Sequence, residues 1–167
     1  EAREGFLICV YLRDLRLEEE TAMEKRGFKY GELTDKIIGI FYDVYNELGH
    51  GFLEAVYRDA MLIALRQIGL KAEKECPVPV WFRGIEIGQY RADLIVEEKV
   101  ILELKAARAI DPAHEAQLLH YLRATVIEVG LLLNFGPKPE FKRHAFDNDR
   151  KQIRVYPRPS AAEESIQ

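Results

Sequence analysis

The stretch Tyr90–Ala107, YRADLIVEEKVILELKAA, decides the fold. It reads as two antiparallel strands, Tyr90–Val96 and Val100–Ala106, joined by a charged turn, Glu97–Lys99. Side chains alternate along a strand. Tyr90, Ala92, Leu94 and Val96 therefore face one way, and Arg91, Asp93 and Ile95 the other. On the second strand Val100, Leu102, Leu104 and Ala106 form an apolar face, with Ile101, Glu103 and Lys105 opposite. A three-residue turn pairs Val96 with Val100 and sets Asp93 across from Glu103. Opposed Cβ atoms lie about 4.5–5.5 Å apart, and like charges so placed are destabilising.

Two facing carboxylates make chemical sense when a divalent cation lies between them, because hard cations such as Mg²⁺ take oxygen ligands. Lys105 shares the face of Glu103. An ammonium there can orient a water or offset charge that develops on a phosphate. Asp93, nine intervening residues and then Glu103-Leu104-Lys105 resemble the D…(D/E)xK signature of the PD-(D/E)xK nuclease superfamily. Ala92 stands where the family name has proline.

Upstream, Leu33–Leu48 has Ile37, Ile40, Phe41, Val44 and Leu48 at helical spacing, facing a core. Thr34 or Asp35 suits its N-cap, and Gly49 and Gly51 suit its end. A second helix is expected over Leu53–Ile68, closed by Gly69, with Leu53, Tyr57, Ala60, Ala64, Leu65 and Ile68 on its buried side. Glu54 falls in its first turn, where an acid complements the helix dipole. His50 reads as an exposed turn residue. Lys71–Phe82, KAEKECPVPVWF, reads as a strand, and Pro77 and Pro79 put it at a sheet edge. Trp81 suits a core, an interface or a base-stacking platform. Arg83-Gly84 reads as a turn before Ile85–Ile87.

Downstream, Asp111-Pro112 signals a helix start that runs to Ala124. His114, Gln117 and Tyr121 share one of its faces, beside the apolar Leu118, Leu119 and Leu122. Val129–Phe135, VGLLLNF, is an apolar run of strand length, as in a central strand covered on both faces. Gly136-Pro137 ends it, and Phe141–Phe146 and Ile153–Tyr156 read as further short strands. Lys138, Lys142, Arg143, Arg150, Lys151 and Arg154 make the C-terminal third the most basic part, set against Glu140, Asp147 and Asp149. Such a surface either tracks a phosphate backbone or is a mixed solvated face.

Composition sets the outer limits. The 167 residues suit one main domain with a sizeable core. A formal net charge of −4 excludes coating nucleic acid by bulk charge, though not a local basic groove. Cys9 and Cys76 are far apart and form no CxxC, so a reducing cytoplasm is expected, without zinc or a disulfide framework. The apolar Phe6–Leu12 is too short for a bilayer and lacks a cleavage signal. The chain opens with Glu, as an incomplete or expression-derived N-terminus would. Residues 1–30 form an extension and 158–167 a tail around a domain spanning 31–157. Neither a Walker A loop, nor GxGxxG, nor GxSxG is present.

Gly51-Phe52-Leu53-Glu54-Ala55-Val56-Tyr57 fits GxxExxY, the motif that names a bacterial and archaeal family of small PD-(D/E)xK-like proteins. The chain is similar to that family over about residues 32–146, in the order helix, GxxExxY helix, proline-bearing strand, D…ExK hairpin, then a helix carrying HExQLLxYL. The resemblance implies an α/β fold, a mixed central β-sheet flanked by α-helices with a restriction-endonuclease-like core. It implies a Mg²⁺- or Mn²⁺-dependent nuclease hydrolysing nucleic-acid phosphodiesters, DNA foremost, in the cytoplasm and off the membrane. Asp93 and Glu103 would hold the metal with the Leu104 carbonyl, and Glu54 would support it directly or through water. Lys105 would act on the attacking water, and Gln117 and Tyr121, as in RecB-like and lambda-exonuclease-like relatives, on the substrate phosphate. A chain this small would use a second copy or a partner protein to hold a duplex. The alternative is a catalytically silent nuclease fold kept as a binding or assembly module. A phosphatase acting on small substrates has no recognisable pocket in the sequence.

Overall fold

The computed structural model describes residues 29–83 and 85–151. The expected features at 1–28, at Gly84 and beyond Lys151, including the strand at Ile153–Tyr156 and the side chain of Arg154, lie outside them. No helix among the described residues is long and apolar enough to cross a membrane. The order is α1 (Gly31–Leu48), α2 (Glu54–Gln67), β1 (Ala72–Phe82), β2 (Ile85–Val96), β3 (Val100–Lys105), α3 (Pro112–Ala124), β4 (Val129–Phe135) and β5 (Pro139–Ala145), with a short 3-10 turn at Asn148–Arg150.

The strands form one mixed sheet in the order β1-β2-β3-β4-β5. Three neighbour pairs are antiparallel, while β3 and β4 run parallel, joined by α3 as a crossover. This is the expected α/β architecture of a mixed sheet flanked by helices. All seven residues of β4 are buried, as a strand covered on both faces requires. On one face Tyr57 of α2 stacks on Phe135 at 4.2 Å and Phe41 of α1 meets the same ring edge-on at 4.8 Å. On the other face α3 packs through Leu118, Tyr121 and Leu122 onto Ile101, Leu132 and Ile95. A Cβ on Gly130 would come within 2.7 Å of Leu118, so a side chain there would lift α3 off the sheet.

The β2–β3 hairpin has the predicted register: Val96 pairs with Val100, Ile95 with Ile101 and Leu94 with Leu102. Glu97 and Glu98 both adopt positive φ, 52° and 56°, and Lys99 N–H donates to the Val96 carbonyl at 3.0 Å. Positive φ at both central positions matches the twist of the flanking strands. β1 is an edge strand, and the sheet seats Pro77 and Pro79 there, opposite Arg91 and Gln89.

Several local expectations are corrected. α1 begins at Gly31, so Thr34 lies inside the helix and is buried rather than capping it, and Asp35 follows it. Leu48, Leu53 and Ile68 are exposed at 36%, 79% and 49%. Each sits at a helix end, past the sheet that would cover it, while Met61 and Leu62 fill the α2 interface instead. β2 starts at Ile85, five residues before the expected Tyr90. Its alternation also breaks. Ala92 and Ile95 both join the core under α3, although a regular strand puts residues three apart on opposite faces. The break falls at Asp93. Opposite it Glu75 takes a left-handed φ of 54°, and the β1–β2 ladder passes from Lys74↔Leu94 to Cys76↔Ala92 without that pair.

Candidate active site

β2 and β3 part company at Asp93. The ladder stops at Leu94↔Leu102, one pair short of the expected Asp93–Glu103 contact. Beyond it the Leu104 backbone N–H donates to Asp93 Oδ2 at 2.8 Å. A side-chain carboxylate has replaced strand-to-strand pairing, and the strands splay around it. This differs from two acids locked directly opposite, and the like-charge cost of that arrangement supplies the physical reason.

The acids remain close enough to act on each other. Glu103 is buried at 2% exposure. Burial, with the Asp93 charge second, pushes its carboxyl up to about 7. Lys105 Nζ donates to Glu103 Oε1 at 2.7 Å, which opposes that rise without cancelling it. Glu103 Oε2 is buried with no partner. Burial also raises Asp93, against the Leu104 hydrogen bond and the charges of Lys105 and Arg58. Burial weakens the charged form of Lys105, but Glu103, Glu54 and Asp93 outweigh it and lift its pKa. Lys105 is therefore a fixed cation.

Glu54 reaches this place from the opposite layer. It begins α2, its Oε1 lies 3.4 Å from the Ala106 N–H just past β3, and its charge is felt at Asp93, Glu103 and Lys105. Tyr57, three residues on, faces elsewhere. It is fully buried, its hydroxyl donates to the Gly49 carbonyl at 2.9 Å and accepts from Phe52 N–H at 3.2 Å. It thereby pins the loop that delivers Glu54. Gly49 and Gly51 supply the positive φ, 69° and 110°, that this loop needs.

From α3, Gln117 Nε2 donates to the Tyr121 hydroxyl at 2.7 Å, and that hydroxyl donates to the Arg91 carbonyl at 3.2 Å. Burial raises the Tyr121 pKa, with Glu103 and Asp93 adding to it and Gln117 and Lys105 opposing. The phenol is thus a neutral donor beside the carboxylates. His114 does not join this stripe. Its Nδ1 accepts the Asp111 N–H at 3.2 Å, while Asp111 Oδ1 accepts Ala113 N–H at 2.7 Å, so His114 is half of a reciprocal helix cap.

Two contributors went unseen in the sequence. Arg58 Nη1 lies 3.6 Å from Asp93 Oδ1, and Nη2 lies 3.4 Å from Glu75 Oε1. Its spacing of four from Glu54 puts both on one helix face, a usable signal. Asn134 is fully buried. It accepts the Ala107 N–H and donates to the Ala107 carbonyl, each at 3.0 Å, fixing the chain just beyond Lys105. A lone polar residue in an apolar run has to be satisfied, and that was its signal. The basic C-terminal stretch is largely engaged: Lys142 pairs with Glu115, and Lys151 caps the Thr125 and Ile127 carbonyls.

A family profile, the PD-(D/E)XK nuclease superfamily, matches residues 31–144. The chain belongs to that superfamily. No curated protein matches it. Among solved structures it is similar to the crystal structure of SSO0001, at 21% identity and a TM-score of 0.43, over 56% of this chain and 50% of that one. The shared part is therefore half the length of that relative. The superfamily is one of nucleases, commonly served by divalent metals, and nucleic acid is its class of partner.

The acids fit such an ion. A buried carboxylate oxygen without a partner, beside a second carboxylate whose charge it resists, is an arrangement that a cation relieves. Among the described residues no group of three His, Cys, Asp or Glu is placed to hold a metal ion. Magnesium needs none, since it keeps several waters and takes one or two carboxylates with substrate phosphate.

Proposed function

We propose that this chain is a metal-dependent nuclease that hydrolyses nucleic-acid phosphodiester bonds, with DNA its main substrate, and that it belongs to the GxxExxY group within the superfamily. The unpartnered Glu103 Oε2, buried beside Asp93, carries this reading. Asp93 and Glu103 are the ligands proposed for Mg²⁺ or Mn²⁺, aided by the Leu104 carbonyl and by Glu54 directly or through water. When bound, the ion supplies Lewis-acid polarisation of the phosphodiester and acidifies a coordinated water.

The remaining work falls to the protein. Lys105, held protonated, orients the attacking water and offsets the charge that grows on the phosphate. Its bond to Glu103 keeps the ammonium at the carboxylates rather than in solvent. Gln117, held in place by its bond to the Tyr121 hydroxyl, turns its second amide hydrogen to the attacked strand. Arg58 steadies Asp93, and Asn134 steadies the chain that follows Lys105.

The test is cleavage of linear, circular, single-stranded and RNA substrates by purified protein with Mg²⁺ or Mn²⁺. Metal-dependent cleavage that disappears in Lys105→Ala is the expected result. No cleavage on any substrate, or equal cleavage by wild type and variant, overturns the proposal and leaves the silent binding module, for which the salt link of Arg58 to Asp93 is the favouring observation.

A further inference from the structure

β2 pairs with β3 only over Leu94–Val96. From Ile85 to Arg91 its sole strand neighbour among the described residues is β1, so the β1–β2 hairpin projects past the splay as an arm. At about 3.3 Å per residue the hairpin runs roughly 25 Å beyond Asp93; its root packs on α3 through Val78 and Val80, and its outer part is open. It is apolar and open: Phe82, Ile85, Ile87 and Tyr90 are exposed at 57%, 68%, 65% and 46%. Side chains of this kind, clustered on one projection, mark a contact surface.

The arm is continuous with the candidate active site. The Tyr90 ring lies 5.6 Å from that of Tyr121, whose hydroxyl sits on the Arg91 carbonyl and whose ionisation responds to Glu103 and Asp93. At the tip the Arg83 guanidinium lies 5.2 Å from the centre of the Phe82 ring. Cations are sparse, Arg83 and Arg91 against Glu86. A surface that grips duplex DNA through its phosphates needs several Lys or Arg. A surface that holds a single strand needs rings for its bases and some positive charge for its backbone, and the arm sets Arg83 beside Phe82 and Arg91 next to Tyr90.

Resting on the nuclease reading, we infer that the β1–β2 arm is a stacking platform for unpaired bases, and that the substrate is single-stranded nucleic acid or the single-stranded part of a junction. A strand whose phosphate lies at Asp93 and Glu103 runs its bases along Tyr90 toward Ile85 and Phe82, which the strand pairing sets on one face. Tyr90 is the specificity-determining residue nearest the site.

The test measures fluorescence anisotropy of a labelled 20-nucleotide strand with Ca²⁺ in place of Mg²⁺, against its duplex and against an abasic strand of equal length. Binding to the strand at least about tenfold tighter than to either competitor is expected, with affinity that falls as salt rises. Tyr90→Ala weakens it by about 5- to 100-fold and raises KM more than it lowers kcat, while Tyr90→Phe restores it. Ile85→Ser, which leaves the Tyr121 contact in place, weakens it less. Equal affinity for strand and duplex, or for normal and abasic strands, overturns the inference even if cleavage persists. A dimer that Ile85→Ser converts to monomer with strand affinity unchanged also overturns it, because the arm is then an interface between copies. Loss of all metal-dependent cleavage strikes the nuclease reading instead, and the Ca²⁺ binding comparison still decides the platform.

Discussion

Asp93 gives one carboxylate oxygen to the Leu104 backbone N–H at 2.8 Å, on the side of β3 that faces β2. The same residue therefore parts the two strands and stays tethered to the strand it has left. Asp93→Asn keeps an acceptor for Leu104 while removing the charge. The fold should survive, with a melting temperature close to wild type. Mn²⁺ affinity by calorimetry should fall by more than about tenfold. Unchanged Mn²⁺ binding would remove Asp93 from the proposed metal site.

Glu103 sets a pH dependence with a definite sign. Its folded pKa is pushed up to about 7, against an ordinary 4.5, so the native state holds this proton more tightly than the unfolded chain. Below the ordinary value both states are protonated and no penalty exists. As pH rises toward 7 the penalty grows, and above 7 it is fully present. At about 1.4 kcal/mol per pH unit the gap comes to roughly 3 kcal/mol. Metal-free wild type should lose urea stability from pH 5 to pH 8 relative to Glu103→Gln, and saturating Mn²⁺ should erase the difference. Parallel curves for the two proteins would contradict this account.

Metal uptake should carry the same signature. A carboxyl that must lose its proton to bind a cation makes affinity rise with pH up to about 7 and level off above it. Calorimetry in buffers of different ionisation enthalpy should detect a proton released per Mn²⁺ at pH 6 and almost none at pH 8.

Asn134→Ala removes both bonds to the Ala107 backbone. A cost of about 2–4 kcal/mol is expected from two abandoned polar groups, visible as a lower urea midpoint. Cleavage should drop as well, because the segment after Lys105 loosens. A fully active, fully stable variant would show that β3 needs no such latch.

The β2–β3 turn is open to improvement. Glu98 occupies a conformation that glycine adopts without strain, φ 56°. Glu98→Gly should raise the urea midpoint, since the exposed ion pair it gives up to Lys71 adds little. A lower midpoint would mean that pair matters more than the backbone.

Much of this was legible in the sequence where the signal is local. The hairpin register follows from turn length alone. Asp111-Pro112 fixed the start of α3, and the unbroken VGLLLNF run marked a strand buried on both sides. What escaped depends on distant chain. The reversal of faces at Asp93 is coupled to the left-handed Glu75 on a neighbouring strand, which no reading of the hairpin contains. The first part of β2 is exposed on both sides, so it has no alternation to read. Leu53 and Ile68 fit the helical period, yet periodicity cannot tell where the sheet beneath a helix stops. His114 matched the stripe of Gln117 and Tyr121, but its ring was already committed to the helix start.

The parallel pairing of β3 with β4, from Val100↔Val129 to Lys105↔Asn134, also governs when the protein becomes itself. The strand bearing Glu103 and Lys105 lacks its inner neighbour until the crossover helix and then residues 129–135 have been synthesised and have closed back upon it. Long-range closures of this kind come slowly and late. A chain still emerging from the ribosome thus carries every acid of the hairpin without the framework that buries Glu103, and the site takes shape only once β4 has closed against β3.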